Sequence, residues 1–169
     1  MRVAGINLGY WRGRNRPRPY KGKALQHLDA QAREVLQVAQ TIAREFQLDY
    51  VGTEHILLAI LRSHEGLGAR VLKSLKVTEP LMRREIEKVL EKDMEDTWVF
   101  GRLPGSPHFR NVMVLAQDEA AQLEAKEIGS EHLLLALLRE KGSTAQRALA
   151  RFSISLEKCR EEVLRQSAA

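Results

Sequence analysis

The sequence predicts an all-α protein of eight helices, built as two pseudo-twofold four-helix repeats. Three observations lead there. First, a twelve-residue stretch occurs twice, as Val51-Gly52-Thr53-Glu54-His55-Ile56-Leu57-Leu58-Ala59-Ile60-Leu61-Arg62 and as Ile128-Gly129-Ser130-Glu131-His132-Leu133-Leu134-Leu135-Ala136-Leu137-Leu138-Arg139. Second, the offset of 77 residues between the copies persists on both sides. Arg33 matches Arg110 and Ala39 matches Ala116 upstream; Leu72 matches Leu149, Val77 matches Ile154 and Ile86 matches Val163 downstream. Third, apolar residues recur at spacings of three and four along most of the chain, which is the helical period. A repeat this long is one helical unit used twice.

The first helix is expected from about Leu25 to Phe46, with Leu28, Ala32, Val35, Ala39 and Ile42 on one side. Thr53 reads as the N-cap of a second helix running to about Arg62. A turn at Ser63-His64-Glu65-Gly66 precedes a third, Leu67 to Leu75. Thr78 reads as the cap of a fourth, Glu79 to about Glu91, with Pro80 tolerated in its first turn. Leu81, Ile86, Val89 and Leu90 supply the apolar side of that helix. Ser106-Pro107 reads as an N-cap followed by proline at the first helical position. A fifth helix follows to about Glu124, with Val112, Leu115, Ala116 and Leu123 inward and Ala120 and Ala121 allowing close approach. Ser130 reads as the cap of the sixth, Ser143 or Thr144 as the start of the seventh, and Ser155 as the cap of the eighth.

This divides the chain into a basic arm (1–23), a first repeat (24–92), a linker (93–106) and a second repeat (107–167). The linker carries Gly101, Pro104 and Gly105, with Pro107 just after it, and these residues break helical periodicity. Each repeat is small for independent stability, and helices as short as 53–62 are marginal by themselves. The two repeats are therefore expected to pack as one domain, 24–167.

Charge is unevenly placed. Residues 1–23 hold seven Arg or Lys and no acid, including Arg12, Arg14, Arg16, Arg18, Lys21 and Lys23, whereas the remainder holds 20 basic and 22 acidic side chains. A solvated tail and an arm that touches nucleic acid or an acidic protein surface are both open readings. The longest apolar run, Leu133 to Leu138, is too short for a membrane-spanning helix. A single cysteine, Cys159, excludes an internal disulfide and is compatible with a reducing, cytoplasmic setting.

The chemistry lies in the repeated Gly-Thr/Ser-Glu-His. Glycine relaxes the backbone before the helix, and free first-turn amides with the positive helix end can cap locally or receive an anion. Glu54 and Glu131 either answer the helix field or take a guanidinium in a bidentate pair. Gly52, Thr53, Glu54, Gly129, Ser130 and Glu131 are therefore the candidate binding residues. His55 and His132 are candidate supports, read first as local hydrogen-bonding groups. Neither a metal-ligand spacing nor a nucleophile with its base is discernible, and no phosphate-binding Gly-x-x-x-x-Gly-Lys-Ser/Thr loop occurs. No metal, cofactor or catalytic residue is expected, and the reading is of a non-enzyme.

These paired units resemble the repeats of the Clp N-terminal domain family, the amino-terminal domains of ClpA/ClpC-type unfoldases. The resemblance runs from about Leu28 to Leu164. It includes Arg33 to Gln40, Arg110 to Gln117 and the turn and helix Gly66 to Leu72. It implies the eight-helix pseudo-twofold domain, and recruitment of substrate proteins, adaptors or Clp ATPase or protease subunits. In the ClpC-like branch it implies binding of phosphorylated arginine: Glu54 and Glu131 would hold the guanidinium, while Gly52-Thr53 and Gly129-Ser130 face the phosphate. Because the chain ends where an unfoldase would continue, the expectation is a stand-alone accessory protein of the Clp system. The alternative is a structural interaction protein that uses its basic arm on nucleic acid or an acidic partner. No membrane partner is expected.

Overall fold

The structure, a computed structural model, describes residues 26–48, 51–96 and 106–168. Eight α-helices run through them: α1 Ala30–Glu45, α2 Thr53–Ser63, α3 Gly66–Ser74, α4 Glu79–Asp96, α5 Ser106–Gln122, α6 Ser130–Arg139, α7 Thr144–Arg151 and α8 Leu156–Ser167. Within each repeat the long first helix lies along the motif helix, α1 on α2 and α5 on α6. Between repeats the pairings are reciprocal. The first repeat's α3 packs on α6 and the second repeat's α7 on α2, while α4 meets α7 and α3 meets α8. One continuous apolar cluster includes residues of both halves.

Helix starts follow from side-chain acceptors. Ser143 Oγ accepts from Gln146 N–H at 3.2 Å, and Ser155 Oγ from Lys158 N–H at 3.2 Å, as the sequence suggests. The first helix begins later than expected because Asp29 Oδ1 accepts from Ala32 N–H at 2.7 Å. Just before it, Leu28 pairs in parallel with Ile128. Ile128 N–H donates to His27 O at 2.7 Å and Asp29 N–H to Ile128 O at 3.0 Å. Those bonds hold Leu28 extended despite its fit to the helical period.

Thr53 and Ser130 do not cap their own helices; the N-caps are Gly52 and Gly129. Each hydroxyl instead reaches the other repeat. Thr53 Oγ1 accepts from Ala145 N–H in the first turn of α7 at 3.3 Å, and Ser130 Oγ from Gly68 N–H in the first turn of α3 at 3.0 Å. Gly68 and Ala145 are themselves separated by the repeat offset. Each motif helix thus satisfies an otherwise orphaned first-turn amide of the opposite repeat. At Gly68 the approach is closest: a Cβ there would lie 2.7 Å from the Ser130 carbonyl oxygen.

Helix ends repeat as well. Gln47 and Glu124 have φ of 58° and 54°, and Lys76 and Ser153 have 62° and 55°. The next residue's amide then closes back on the helix: Leu48 on Ala43 O, Ala125 on Ala120 O, Val77 on Leu72 O and Ile154 on Leu149 O. This is the left-handed helix stop usually made by glycine, here made four times without one.

Two apolar faces differ from expectation. On α4, Leu81 is 44% exposed while Met82 is buried. On α5, Ala121 is exposed and Met113 is buried beside Val112. Cys159 is buried, and burial raises its thiol pKa to about 12, so it behaves as a small apolar side chain. The α4 helix continues through Asp96, so the start of the expected linker 93–106 is helical. Residues 97–105 lie outside the described residues, as does the basic arm 1–23.

If the two hydroxyl bonds hold the seam, Ser130→Ala and Thr53→Val should each cost about 1–2 kcal/mol, the penalty for a buried amide left without an acceptor. Urea unfolding measures this. Costs below the error of the method for both would show that the bonds contribute nothing.

Candidate functional site

Each motif helix opens in the same way. The Gly52 amide donates to His55 Nδ1 at 2.8 Å, and the Gly129 amide to His132 Nδ1 at 2.8 Å. Each histidine thereby supplies the acceptor for the N-cap amide, the role a glutamate usually plays three residues into a helix. An Nδ1 that accepts leaves the proton of the neutral ring on Nε2. Burial holds both histidines below the ordinary imidazole pKa, His55 at about 4 with a further contribution from Arg83. His55 also stacks at a tilt on Phe46, 5.5 Å between ring centroids, and Phe46 in turn carries the Arg83 guanidinium.

Both glutamates fold back over the preceding glycine. A Cβ on Gly52 would lie 2.6 Å from Glu54 Oε2, and one on Gly129 would lie 2.7 Å from Glu131 Oε1. The two glycines have φ of −99° and −96°, which any residue adopts. Glycine is needed here for space, not for backbone freedom.

The two carboxylates then part company. Glu131 keeps 19% of its side chain exposed. Glu54 is fully buried, and neither of its oxygens has a hydrogen bond of good geometry; buried His55 Nε2 likewise has none. Oε1 of Glu54 and Nε2 of His55 stand 3.7 Å apart, beyond hydrogen-bond reach. Burial raises the Glu54 pKa to about 7, partly offset by its own amide and the Thr53 hydroxyl. Glu54 is thus poised to be a neutral acid near neutrality.

Glu119 is buried just as deeply, but its environment is opposite. Arg139 Nη1 donates to its Oε1 at 2.8 Å and Arg160 Nη2 at 2.6 Å. Arg139 also pairs with Asp118. In the first repeat the equivalent arginines, Arg62 and Arg83, pair with Glu45 and Glu79. Arg62 donates to Glu45 Oε1 at 2.7 Å and lowers that carboxyl's pKa. The arginines repeat at the 77-residue offset while their acids do not: Glu119 occupies the place of Ile42. Periodicity marks position 119 as apolar, so sequence reasoning missed it; the repeated arginines were the available signal. These four guanidiniums are already engaged by acids and are not partners of the entrance carboxylates.

The structure therefore brings Gly52, Thr53, Glu54 and His55 together at one helix start and Gly129, Ser130, Glu131 and His132 at another. It does not join the two sets into one site. Arg12, Arg14, Arg16, Arg18, Lys21 and Lys23 lie outside the described residues. Among the described residues no cluster of metal-binding side chains occurs, and no helix is long and apolar enough to cross a membrane.

Fold and site define a pseudo-twofold helical module whose polar groups sit at two helix starts. The pattern of the Clp repeat (R) N-terminal domain family matches residues 27–152 and 104–168, and the chain belongs to that family. Membership agrees with a non-catalytic domain. The ATP-binding subunit ClpC of the ATP-dependent Clp protease from Staphylococcus saprophyticus is 34% identical over 138 residues, which is 82% of this chain and 16% of the relative. The ClpC subunit of Staphylococcus epidermidis is 35% identical over the same length and shares. The chain spans about a sixth of the length of these relatives. The crystal structure of the N-terminal domain of the chaperone ClpD from Arabidopsis thaliana shares the fold, with a TM-score of 0.65 at 17% identity, over 89% of this chain and all of that one.

The buried carboxyl makes a pH prediction. The folded protein holds the Glu54 proton more tightly than the unfolded chain, whose carboxyl has a pKa near 4.5. Stability is therefore lost as pH rises above that value, and the loss is complete once pH passes about 7. Between pH 5 and pH 8 the native chain should lose about 2–3 kcal/mol from this group, and Glu54→Gln should remove that slope. Parallel pH–stability curves for the two proteins would contradict the assignment.

Proposed function

We propose that the chain is a non-enzymatic binding module of the Clp system, receiving substrate proteins, adaptors or Clp subunits at its helix starts. Membership of the Clp N-terminal family supports the system. The observation that carries the site is the state of Glu131: an acid folded over Gly129 at the start of α6, still 19% exposed. Among the described residues it has no guanidinium partner, and its ion-pair contact is with His132 at 3.7 Å. A partly exposed carboxylate beside a positive helix end suits a side chain that carries both a guanidinium and an anion. Phosphorylated arginine is that side chain. In this reading Glu131 takes the guanidinium, and the Gly129-Ser130 helix start faces the phosphate.

The test is titration of free phosphoarginine into isotope-labelled protein, followed by amide shifts. Saturable shifts at Gly129, Ser130 and Glu131 are expected, weakened at least tenfold by Glu131→Ala. Shifts that leave this segment untouched, or survive the substitution unchanged, would refute the reading.

A further inference from the structure

Identical tetrapeptides open α2 and α6 apart from a Thr/Ser exchange, yet only one of the two acids is sealed. Glu54 is fully buried, with both oxygens and the neighbouring His55 Nε2 lacking hydrogen-bond partners. Three orphaned polar atoms at one helix start are unusual, since buried polar groups are nearly always paired. A carboxylate held there without a donor is costly, and the group escapes that cost by keeping its proton. A guanidinium would supply what the site lacks: donors for both oxygens and a charge that makes ionisation favourable.

We propose that the first helix start is a proton-locked receptor, in which Glu54 gives up its proton as a guanidinium-bearing side chain enters, while the second start, whose carboxyl is partly open to solvent, receives the same ligand without that lock. This rests on the proposed reception of a guanidinium-bearing ligand and extends it to the unequal behaviour of the two starts. The balance is simple: the neutral carboxyl and the ligand's guanidinium group become a carboxylate–guanidinium pair, the ligand's phosphate is unchanged, and one proton leaves to buffer.

The groups around Glu54 are consistent with a lock. His55 stands beside it on α2 and stays neutral. From the end of α1 comes Phe46, packed on that imidazole; Glu45 next to it is occupied by Arg62 and Arg83. From α4 come Arg83, held over Phe46 and paired with Glu45 and Glu79, and Glu79 itself, paired with Arg62. From α7 the Ala145 amide reaches Thr53 rather than the carboxyl. Among the described residues no cation is in place to hold Glu54 ionised. At the second start the carboxyl is not sealed, and 19% of its side chain remains exposed.

The consequence is a difference in pH response. With Glu54 titrating at about 7, affinity at the first start should rise about tenfold from pH 6 to pH 8, because the ionised fraction of the free site rises by that factor. Affinity at the second, where the carboxyl is partly exposed, should change less over the same range.

The experiment is isothermal titration calorimetry of phosphoarginine with two variants of the full chain, each keeping one start. Glu131→Ala keeps the first and Glu54→Ala the second, and each is run at several pH values in buffers of different ionisation enthalpy. The expected result is release of most of one proton at pH 6 from Glu131→Ala, falling towards zero at pH 8, and a smaller release from Glu54→Ala at pH 6. Binding to Glu131→Ala with flat affinity and no proton release overturns the lock and leaves the receptor reading intact. Binding to Glu54→Ala alone also overturns it, by showing that the first start is no receptor. No binding to either variant or to the parent chain removes both proposals. Because Glu54→Ala opens a buried site, Glu54→Gln in the Glu131→Ala background serves as the second test. It copies the neutral acid, and it should bind at no pH; binding at the affinity of its parent would overturn the lock.

Discussion

Two hydroxyl bonds across the repeat seam set the position of everything else. Thr53 lends its oxygen to an amide of α7, and Ser130 lends its oxygen to an amide of α3. Each motif helix therefore starts where the other repeat's short helix starts. That fixes the depth to which α2 and α6 sink into the shared core, and with it the burial of the groups that follow. A helix of ten or eleven residues has little stability of its own. Here it is held by burial along its length and by these crossings at its head.

The crossing leaves each motif helix needing another solution for its own first turn. Histidine provides it, accepting from the glycine amide in both repeats. A histidine used this way must stay neutral, and burial ensures that. The glutamate between hydroxyl and imidazole is free of capping duty and folds over the glycine. Structure alone accounts for glycine, hydroxyl and histidine in the motif. It does not account for the glutamate, whose buried copy is a cost to the fold. A residue that repeats without a structural return is the natural carrier of function.

Much of the architecture is legible in the sequence because the repeat is written in apolar positions and in serine caps such as Ser143 and Ser155. The four left-handed helix stops are not, because Gln47, Lys76, Glu124 and Ser153 occupy a place where glycine is the readable sign. Thr53 and Ser130 look like local caps because a hydroxyl before a helix usually is one; only the folded seam shows its bond going elsewhere. Glu119 is hidden by position, an acid in the place of an isoleucine, neutralised by two arginines from other helices. The candidate binding residues are legible as a motif. Their difference in exposure is not, since nearly the same four-residue pattern is sealed once and left partly open once.

The crossed starts require the two repeats to behave as one folded unit. Native-state hydrogen exchange at the Gly68 and Ala145 amides measures this. Both should exchange only through global unfolding, with equal protection that falls together in Ser130→Ala. Exchange of either amide through a smaller opening confined to its own repeat, while the other stays fully protected, would contradict it.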